Sequence, residues 1–434
     1  MRMAPLSSAP PANPVSRLTA WWTVGVLAFV GVLDWADRAL ISAIAEPVKQ
    51  EFGLSDAQLG FAMGFAMVIM RVIIGVPVGR ISDSWNRRNV LALSLAFWSL
   101  ATAATGMARN FTQFIAARLC VGAGTAGSYP PTLSMLGDLF PLKSRGTALG
   151  IWSIGTTIGF SVGLAAGALI AEHYGWRTAA LSFGVVGVAV AMLLFVIVKE
   201  PVRRDATGEE LGDEKAPSTW SVVVFISKQR SLLHTIWGFI LLNFVEGSQN
   251  YWTQSFYVRT HEMSIGDAGS ALAGVWLVSG IIGTFVGGFL IDYMGRRDIR
   301  WHTWLTGCAG LICLAPSVVV YLAPTPAIAL SATFVNTMIW STWYAAQMML
   351  MTGLVGSRMR ATSWALIMVI TLVLGNAAGP QVVGLISDWI EPSVGRFSLR
   401  WSMLSILILN VWAALHFFLA GRTIAADYER AGRL

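Results

Sequence analysis

Residues 79–88 read Gly79-Arg80-Ile81-Ser82-Asp83-Ser84-Trp85-Asn86-Arg87-Arg88, and residues 288–297 read Gly288-Phe289-Leu290-Ile291-Asp292-Tyr293-Met294-Gly295-Arg296-Arg297. The Gly, the Asp and the Arg pair recur 209 positions apart (292 − 83 = 209). The same offset joins Ser55 to Ser264, Gly60 to Gly269 and Asp37 to Glu246. One register that matches a charged loop, a helix-start serine and an acid inside an apolar run marks an internal duplication. Two parallel halves of this kind, with a site where they meet near mid-membrane, are a transporter architecture.

Working outward from the duplicated loop, apolar stretches of about 20 residues recur along the chain, each long enough to cross roughly 30 Å of hydrocarbon. The 434 residues are 55% hydrophobic and 12% charged, against about 25% charged in a soluble domain. In lipid the backbone must satisfy its own hydrogen bonds, and these runs do not alternate with period two, so they are helices. The expected spans are 19–46, 57–80, 89–108, 111–137, 146–170, 177–198, 232–257, 268–293, 302–322, 327–354, 361–386 and 398–420. The fold class is therefore an all-α membrane protein, with twelve transmembrane helices in two pseudo-symmetric six-helix bundles. Residues 19–198 form the N-terminal bundle and 232–421 the C-terminal bundle. The polar stretch 199–231 is a cytoplasmic linker, with a short apolar piece at Trp220–Ser227. Residues 1–18, rich in Pro, Ser and Ala, read as a disordered cytoplasmic tail rather than a cleavable signal peptide, and 422–434 as a second cytoplasmic tail.

With the N-terminus inside, the cytoplasmic segments hold 21 of the 30 basic residues, as the positive-inside rule requires of a multi-pass protein of a bacterial inner (plasma) membrane with both termini cytoplasmic. The net charge of +7 thus reads as topology and calls for no nucleic-acid partner. Cys120, Cys308 and Cys313 fall inside apolar spans and read as small packing residues.

The loop at 79–88 resembles the signature between the second and third spans of the major facilitator superfamily, with Asn86 where that signature usually has Gly. Its copy keeps the Gly as Gly295. Arg118-Leu-Cys-Val-Gly122-Ala-Gly124-Thr125-Ala-Gly127 is similar to the superfamily's fourth-span signature. Within the superfamily the chain looks most like the bacterial Spinster-like branch. Asp37-Arg38, Arg360-Ala-Thr-Ser-Trp-Ala-Leu, Gly375-Asn-Ala-Ala-Gly379-Pro380 and Gly384-Leu-Ile-Ser-Asp388 carry that likeness. The resemblance implies the major facilitator fold and proton-linked, alternating-access transport of a lipid-like or amphipathic organic molecule. A proton symporter of organic anions (carboxylates) in the same superfamily is the alternative. Thr125 stands where the branch commonly has Glu, so one carboxylate of its proton-coupling scheme is missing there.

A charge near the bilayer centre costs about 3 kcal/mol on insertion scales and persists when it is paired or wet. Asp37, Arg38 and Arg118 lie at similar depth. Adjacent residues point about 100° apart on a helix, so Asp37 is expected to pair with Arg118 as the protonatable switch. Arg38 then faces the cavity or the cargo. Arg71 has no acid one turn away, so it meets an acid from another helix or presents its charge to an anionic cargo. Glu246 is the pseudo-symmetric acid, with Asn243, Asn250 and Gln254 on its helix face. Trp340, Tyr344 and Gln347 share a face suited to an aromatic or amphipathic substrate, or simply to core packing.

Gly79, Asp83, Arg87 and Arg88, with their counterparts Asp292, Arg296 and Arg297, read as gating residues. Asp83 is expected to meet the N-terminus of the eleventh helix. Arg87 or Arg88 is expected to reach Asp138, and both contacts would hold the cytoplasmic face shut. Glycines 155, 159, 163 and 167, with Gly375, Gly379 and Pro380 as their counterpart, let two helix backbones approach closely, and the resemblance implies that these helices, the fifth and eleventh, pack at the interface of the halves and slide during alternating access. The expected partners are a small-molecule or lipid-like substrate, protons and the lipid bilayer. No cofactor and no metal are called for. An enzyme would need a nucleophile–base pair or a metal cluster, and the five histidines have no metal spacing. Without a Walker loop, ATP does not drive the protein. A channel and a transport-dead sensor remain the other classes.

Overall fold

The computed structural model describes residues 16–140, 142–201, 219–344, 346–347, 350, 354–355 and 359–432. Asp83 is described in its backbone alone, so the gate contact expected of its side chain lies outside the described residues, as does most of the tail 1–18. No strand occurs among the described residues. The first span is Arg17–Ala43, continued after a break by Ala45–Phe52. The second is Asp56–Met63 and Phe65–Ser84, joined at Gly64, and the third is Arg87–Gly106. The fourth is Phe111–Thr125 and Tyr129–Leu139, the fifth Leu142–Tyr174 and the sixth Trp176–Ile197. A linker helix, Thr219–Lys228, leads to the seventh span, Arg230–His261, and the eighth, Ile265–Gly295. The ninth is Trp301–Ile312 and Leu314–Leu322, and the tenth begins with Pro326–Trp340. The eleventh runs through Arg360–Thr371, a π-helical turn at Leu372–Ala377, and Ala378–Val394. The twelfth is Ser398–Ser405 and Ile408–Gly432. The last helix thus continues through most of 422–434, where a tail was expected.

Seven stretches among the described residues are long and apolar enough to cross a membrane. The first, fourth and seventh spans are not among them, and they carry Asp34, Asp37, Arg38, Arg118 and Glu246, the residues that matter below. The duplication is visible in the helix starts. Ser55 accepts a bond from the Gln58 amide and Ser264 one from the Asp267 amide, so the second and eighth spans begin on equivalent caps. With an even number of spans both chain ends share one face, here the terminal face. The opposite one is the far face.

The fifth-span glycines do not lie between the halves. A Cβ on Gly155, Gly159 or Gly163 would run into the backbone of Ala28, Val32 or Ala36 in the first span. Gly375 and Gly379 likewise abut Asn243 and Phe244 of the seventh. These small residues bring two backbones together inside each bundle. The contacts between bundles use other glycines. Gly60 and Gly64 abut Pro380 and Ala377 of the eleventh span, Gly384 abuts Asp56, and Gly269 abuts Ala168. All belong to the far half of the molecule or to mid-depth. Towards the terminal face, a Cβ on Gly75, Gly79, Gly146, Gly150 or Gly288 would have no atom within 4 Å. The described halves are joined at the far face and part towards the terminal one.

Gly159→Leu should therefore weaken the N-terminal bundle itself, by about 1–3 kcal/mol of overpacking. A lowered thermal unfolding midpoint in detergent checks this, and an unchanged midpoint contradicts the seam.

Candidate functional site

Five charged side chains from three spans of the N-terminal bundle gather at mid-depth. Asp34, one turn before Arg38, is 1% exposed and takes Arg38 Nε at 3.3 Å. Its other oxygen takes Arg71 Nη2 of the second span at 3.5 Å. Arg71 Nη2 also lies 3.5 Å from the Thr125 carbonyl. Asp37 faces another way, to Arg118 Nη1 at 3.4 Å, and accepts a short bond from the Thr102 hydroxyl. Arg118 is buried and its Nε has no partner. Arg38 and Arg71 are the open members, 14% and 15% exposed. Three arginines against two aspartates leave one positive charge.

Aromatic rings surround this cluster. Arg38 stacks 4.7 Å above the Trp35 ring and Arg71 lies 5.1 Å from the Tyr129 ring. The Trp35 indole donates to the Tyr129 hydroxyl at 2.9 Å. Trp35 also meets Phe160 of the fifth span at 6.2 Å, and Phe160 meets Trp276 of the eighth at 5.4 Å. That chain of rings crosses from one half to the other.

Glu246 of the seventh span answers Asp37 from the C-terminal bundle. The Tyr344 hydroxyl donates to its carboxylate, and Asn250 and Trp340 lie beside it. Among the described residues no cation is within ion-pair reach of it. Trp340, Trp343 and Tyr344 are packed ring to ring. Asn243 is spent on the Phe239 carbonyl at 2.7 Å and Gln254 on the Ile265 carbonyl at 3.3 Å. The Gln254 Oε1 has no partner among the described residues. Gln347 is partly buried.

The expected gate is only partly one. Arg87 is buried and bonded to Asp138, Ser134 and Glu200, while the Arg88 amide donates to Glu200. These partners all lie in the N-terminal bundle or just after it. The Arg87–Asp138 pair is intact while the halves part at this face, so it braces one bundle and does not bolt two together. In the copy, Arg297 donates to the Tyr293 hydroxyl at the end of the helix just before it, and Asp292 lies near His302. No described bond crosses from Gly79 or Arg296 to the other half.

The ion pairs that do cross are at the far face. Asp56, buried at the start of the second span, accepts from Arg259 Nη1 and Nη2, each at 2.8 Å. Lys49 at 2.5 Å and the Ser387 hydroxyl at 2.6 Å complete its shell. Arg259 also reaches Glu46 at 2.9 Å. Asp388 accepts from the Asp56 and Ala57 amides at 2.8 Å, capping the second span from across the interface. Glu172 of the fifth span accepts from Ser264 at 3.0 Å and from the Gly266 amide of the eighth. One further bond joins the halves between this face and the charged cluster, from the Ser42 hydroxyl of the first span to the Tyr251 carbonyl of the seventh at 2.9 Å. Sequence reasoning missed the far-face cluster and Asp34. The readable signals were the i, i+4 spacing of Asp34 and Arg38 and the Gly-x-Ile-Ser-Asp shared by 79–83 and 384–388.

With that geometry in hand, the model of the Major Facilitator Superfamily matches residues 27–380. The chain belongs to the Major Facilitator Superfamily. It is a multi-pass membrane transporter and not an enzyme. It is 28% identical to an MFS-type efflux pump of Mycolicibacterium smegmatis over 95% of each chain. It is 24% identical to protein spinster homolog 1 of Homo sapiens over 94% of this chain and 82% of the relative. A solved bacterial homologue of the human lysosomal transporter Spinster, inward-facing and unoccupied, superposes with a TM-score of 0.87. It is 25% identical, over 95% of this chain and 99% of the homologue. A D-xylose–proton symporter shares the fold, at a TM-score of 0.73 and 17% identity over 93% of this chain and 98% of its own. The superfamily therefore stands, and so does the chain's likeness to the Spinster-type branch.

Removing one partner of a buried ion pair strands the others at about 3–5 kcal/mol. Arg259→Gln should move the balance between far-closed and far-open forms more than a hundredfold, at about 1.4 kcal/mol per tenfold. Spin labels at Thr112 and Ala327, exposed on the far face of each half, should report a longer distance. An unchanged distance distribution refutes the lock.

Proposed function

We propose that this protein is a proton-coupled secondary transporter that moves an amphipathic, lipid-like organic molecule with an anionic group by alternating access. The observation that carries this reading is the pair of part-exposed arginines, Arg38 and Arg71, in a cluster of net positive charge. An arginine fork suits a carboxylate or phosphate. The rings of Trp35, Tyr129, Phe160 and Trp276 supply an apolar wall for the rest of the cargo. A small carboxylate without an apolar body is the second reading. Only the arginines favour it, together with 26% identity to a probable L-galactonate transporter of Escherichia coli over 76% of this chain and 77% of that relative.

The location would be a bacterial inner membrane with both termini cytoplasmic, supported by the 21 basic residues of 30 on that side. The terminal face, where the halves part, would then be the cytoplasmic opening. Glu246 bears a carboxylate in hydrocarbon without a described cation. Gaining a proton removes that unpaired charge, which makes Glu246 one candidate to carry a proton and Asp37 another.

Counterflow into liposomes with a panel of amphipathic anions tests the reading. Exchange should be saturable. Arg38→Gln and Arg71→Gln should each cut it about tenfold or more, the worth of one charge-assisted bond. Glu246→Gln should keep exchange down the cargo's own gradient and lose drive by an imposed pH gradient. Undiminished pH drive would remove Glu246 from the mechanism.

A further inference from the structure

Asp34 has a geometry that the reading above leaves unused. It is one carboxylate shared by two arginines from different spans, each held through long contacts of 3.3–3.5 Å. Asp37, by contrast, is engaged with Thr102 and the enclosed Arg118. The arginines a cargo anion can reach are therefore the two that Asp34 holds. Arg71 Nε and Nη1 bond no described residue, and Arg38 has only the neutral Tyr129 hydroxyl to bond apart from Asp34, so an anion can land on both guanidinium groups before Asp34 lets go. The groups that face Asp34 are few. Asp37 and Arg38 lie on its own helix, Arg71 on the second span, Ser128 and Tyr129 on the fourth, and Tyr251 on the seventh. Arg118 pairs with Asp37 instead. Among the described residues no other cation pairs with Asp34 to replace the two it would lose.

We propose that Asp34 couples anion and proton: the anionic group of the cargo displaces it from Arg38 and Arg71, and it then takes a proton from water in the chamber. Stripped of its cations, an ionised Asp34 would be a bare charge in hydrocarbon, and one proton removes it. The anion brings one negative charge and the proton one positive, so the cluster keeps its net charge. The two ligands therefore favour each other, and by reciprocity each raises the affinity of the other by the same factor. Ligands that bind together travel together, so the sign is symport. This rests on the reading of Arg38 and Arg71 as the anion site and extends it to the direction of coupling. It also gives a role to the absence of an acid at Thr125, whose carbonyl meets the same Arg71.

The experiment uses the full chain in lipid nanodiscs, with naphthalene-2-sulfonate as probe, because its charge is constant across the pH range. Binding is followed by calorimetry in buffers of different ionisation enthalpy. The wild type should bind more tightly as pH falls from about 8 to about 6, with a slope approaching tenfold per pH unit and up to one proton taken up per anion. Asp34→Asn should bind at least as tightly as the wild type at low pH, with no pH dependence and no proton uptake. Should Asp34→Asn fail to fold, Asp34→Glu keeps a carboxylate and should keep proton uptake at a shifted pH. A wild-type pH slope and proton uptake in Asp34→Asn, or no uptake in a folded Asp34→Glu, overturns the role of Asp34. Proton release on binding, which an efflux exchanger needs, overturns the sign. No binding by the wild type, or full binding by Arg38→Gln and Arg71→Gln, overturns the anion site itself, a result distinct from the others.

Discussion

An ionised group inside hydrocarbon costs several kcal/mol unless something compensates it, and this molecule keeps five within a few helical turns. Arg38, Arg71, Arg118, Asp34 and Asp37 meet because the first, second and fourth spans present them at one depth. The spans that carry them are also broken. The second bends at Gly64, and the fourth is interrupted before Pro130 and Pro131. Discontinuous helices in a membrane are tolerated where they line a cavity or are buried in protein. The charged cluster and the irregular backbone are thus parts of one arrangement, and the C-terminal bundle faces it with a single acid, Glu246.

The architecture was readable in the sequence because it is written twice. The register that pairs Asp83 with Asp292 also pairs two serine caps, Ser55 and Ser264, and two glycines at the interface, Gly60 and Gly269. Hydropathy located the spans because lipid leaves the backbone little choice. The pairings were harder. Asp34 went unread although it sits one turn from Arg38, because its second partner comes from a helix 37 residues on. Asp56, Glu46 and Arg259 lie at span ends, where charge is ordinarily solvated, and nothing in one dimension shows that the fold buries them against each other. His234 and His416, 182 positions apart, likewise come within 2.9 Å of each other with no spacing to announce it.

The fifth and eleventh spans do pack between the halves, against the eighth and the second, but their glycine stripes face elsewhere. Small residues every fourth position show that a helix is closely approached, and they carry no record of by what. The fifth and eleventh spans use the stripe against the first and seventh, inside their own bundles. Each bundle is thereby stiff, and the surface between bundles is left to fewer glycines and to charge. A division of this kind lets two bodies separate without loosening either.

The far-face cluster also has a mechanical meaning. The fifth span has 33 residues and so measures about 50 Å at about 1.5 Å per residue. Its tip stands about 25 Å from mid-depth. A tilt of about 10° around that midpoint carries the tip through about 4 Å, more than any hydrogen bond stretches and survives. Asp56, Arg259, Asp388 and Glu172 are mounted at the end of such lever arms. A small rotation at the charged centre is magnified there into complete rupture, so the closure behaves as a catch with two positions rather than as a spring.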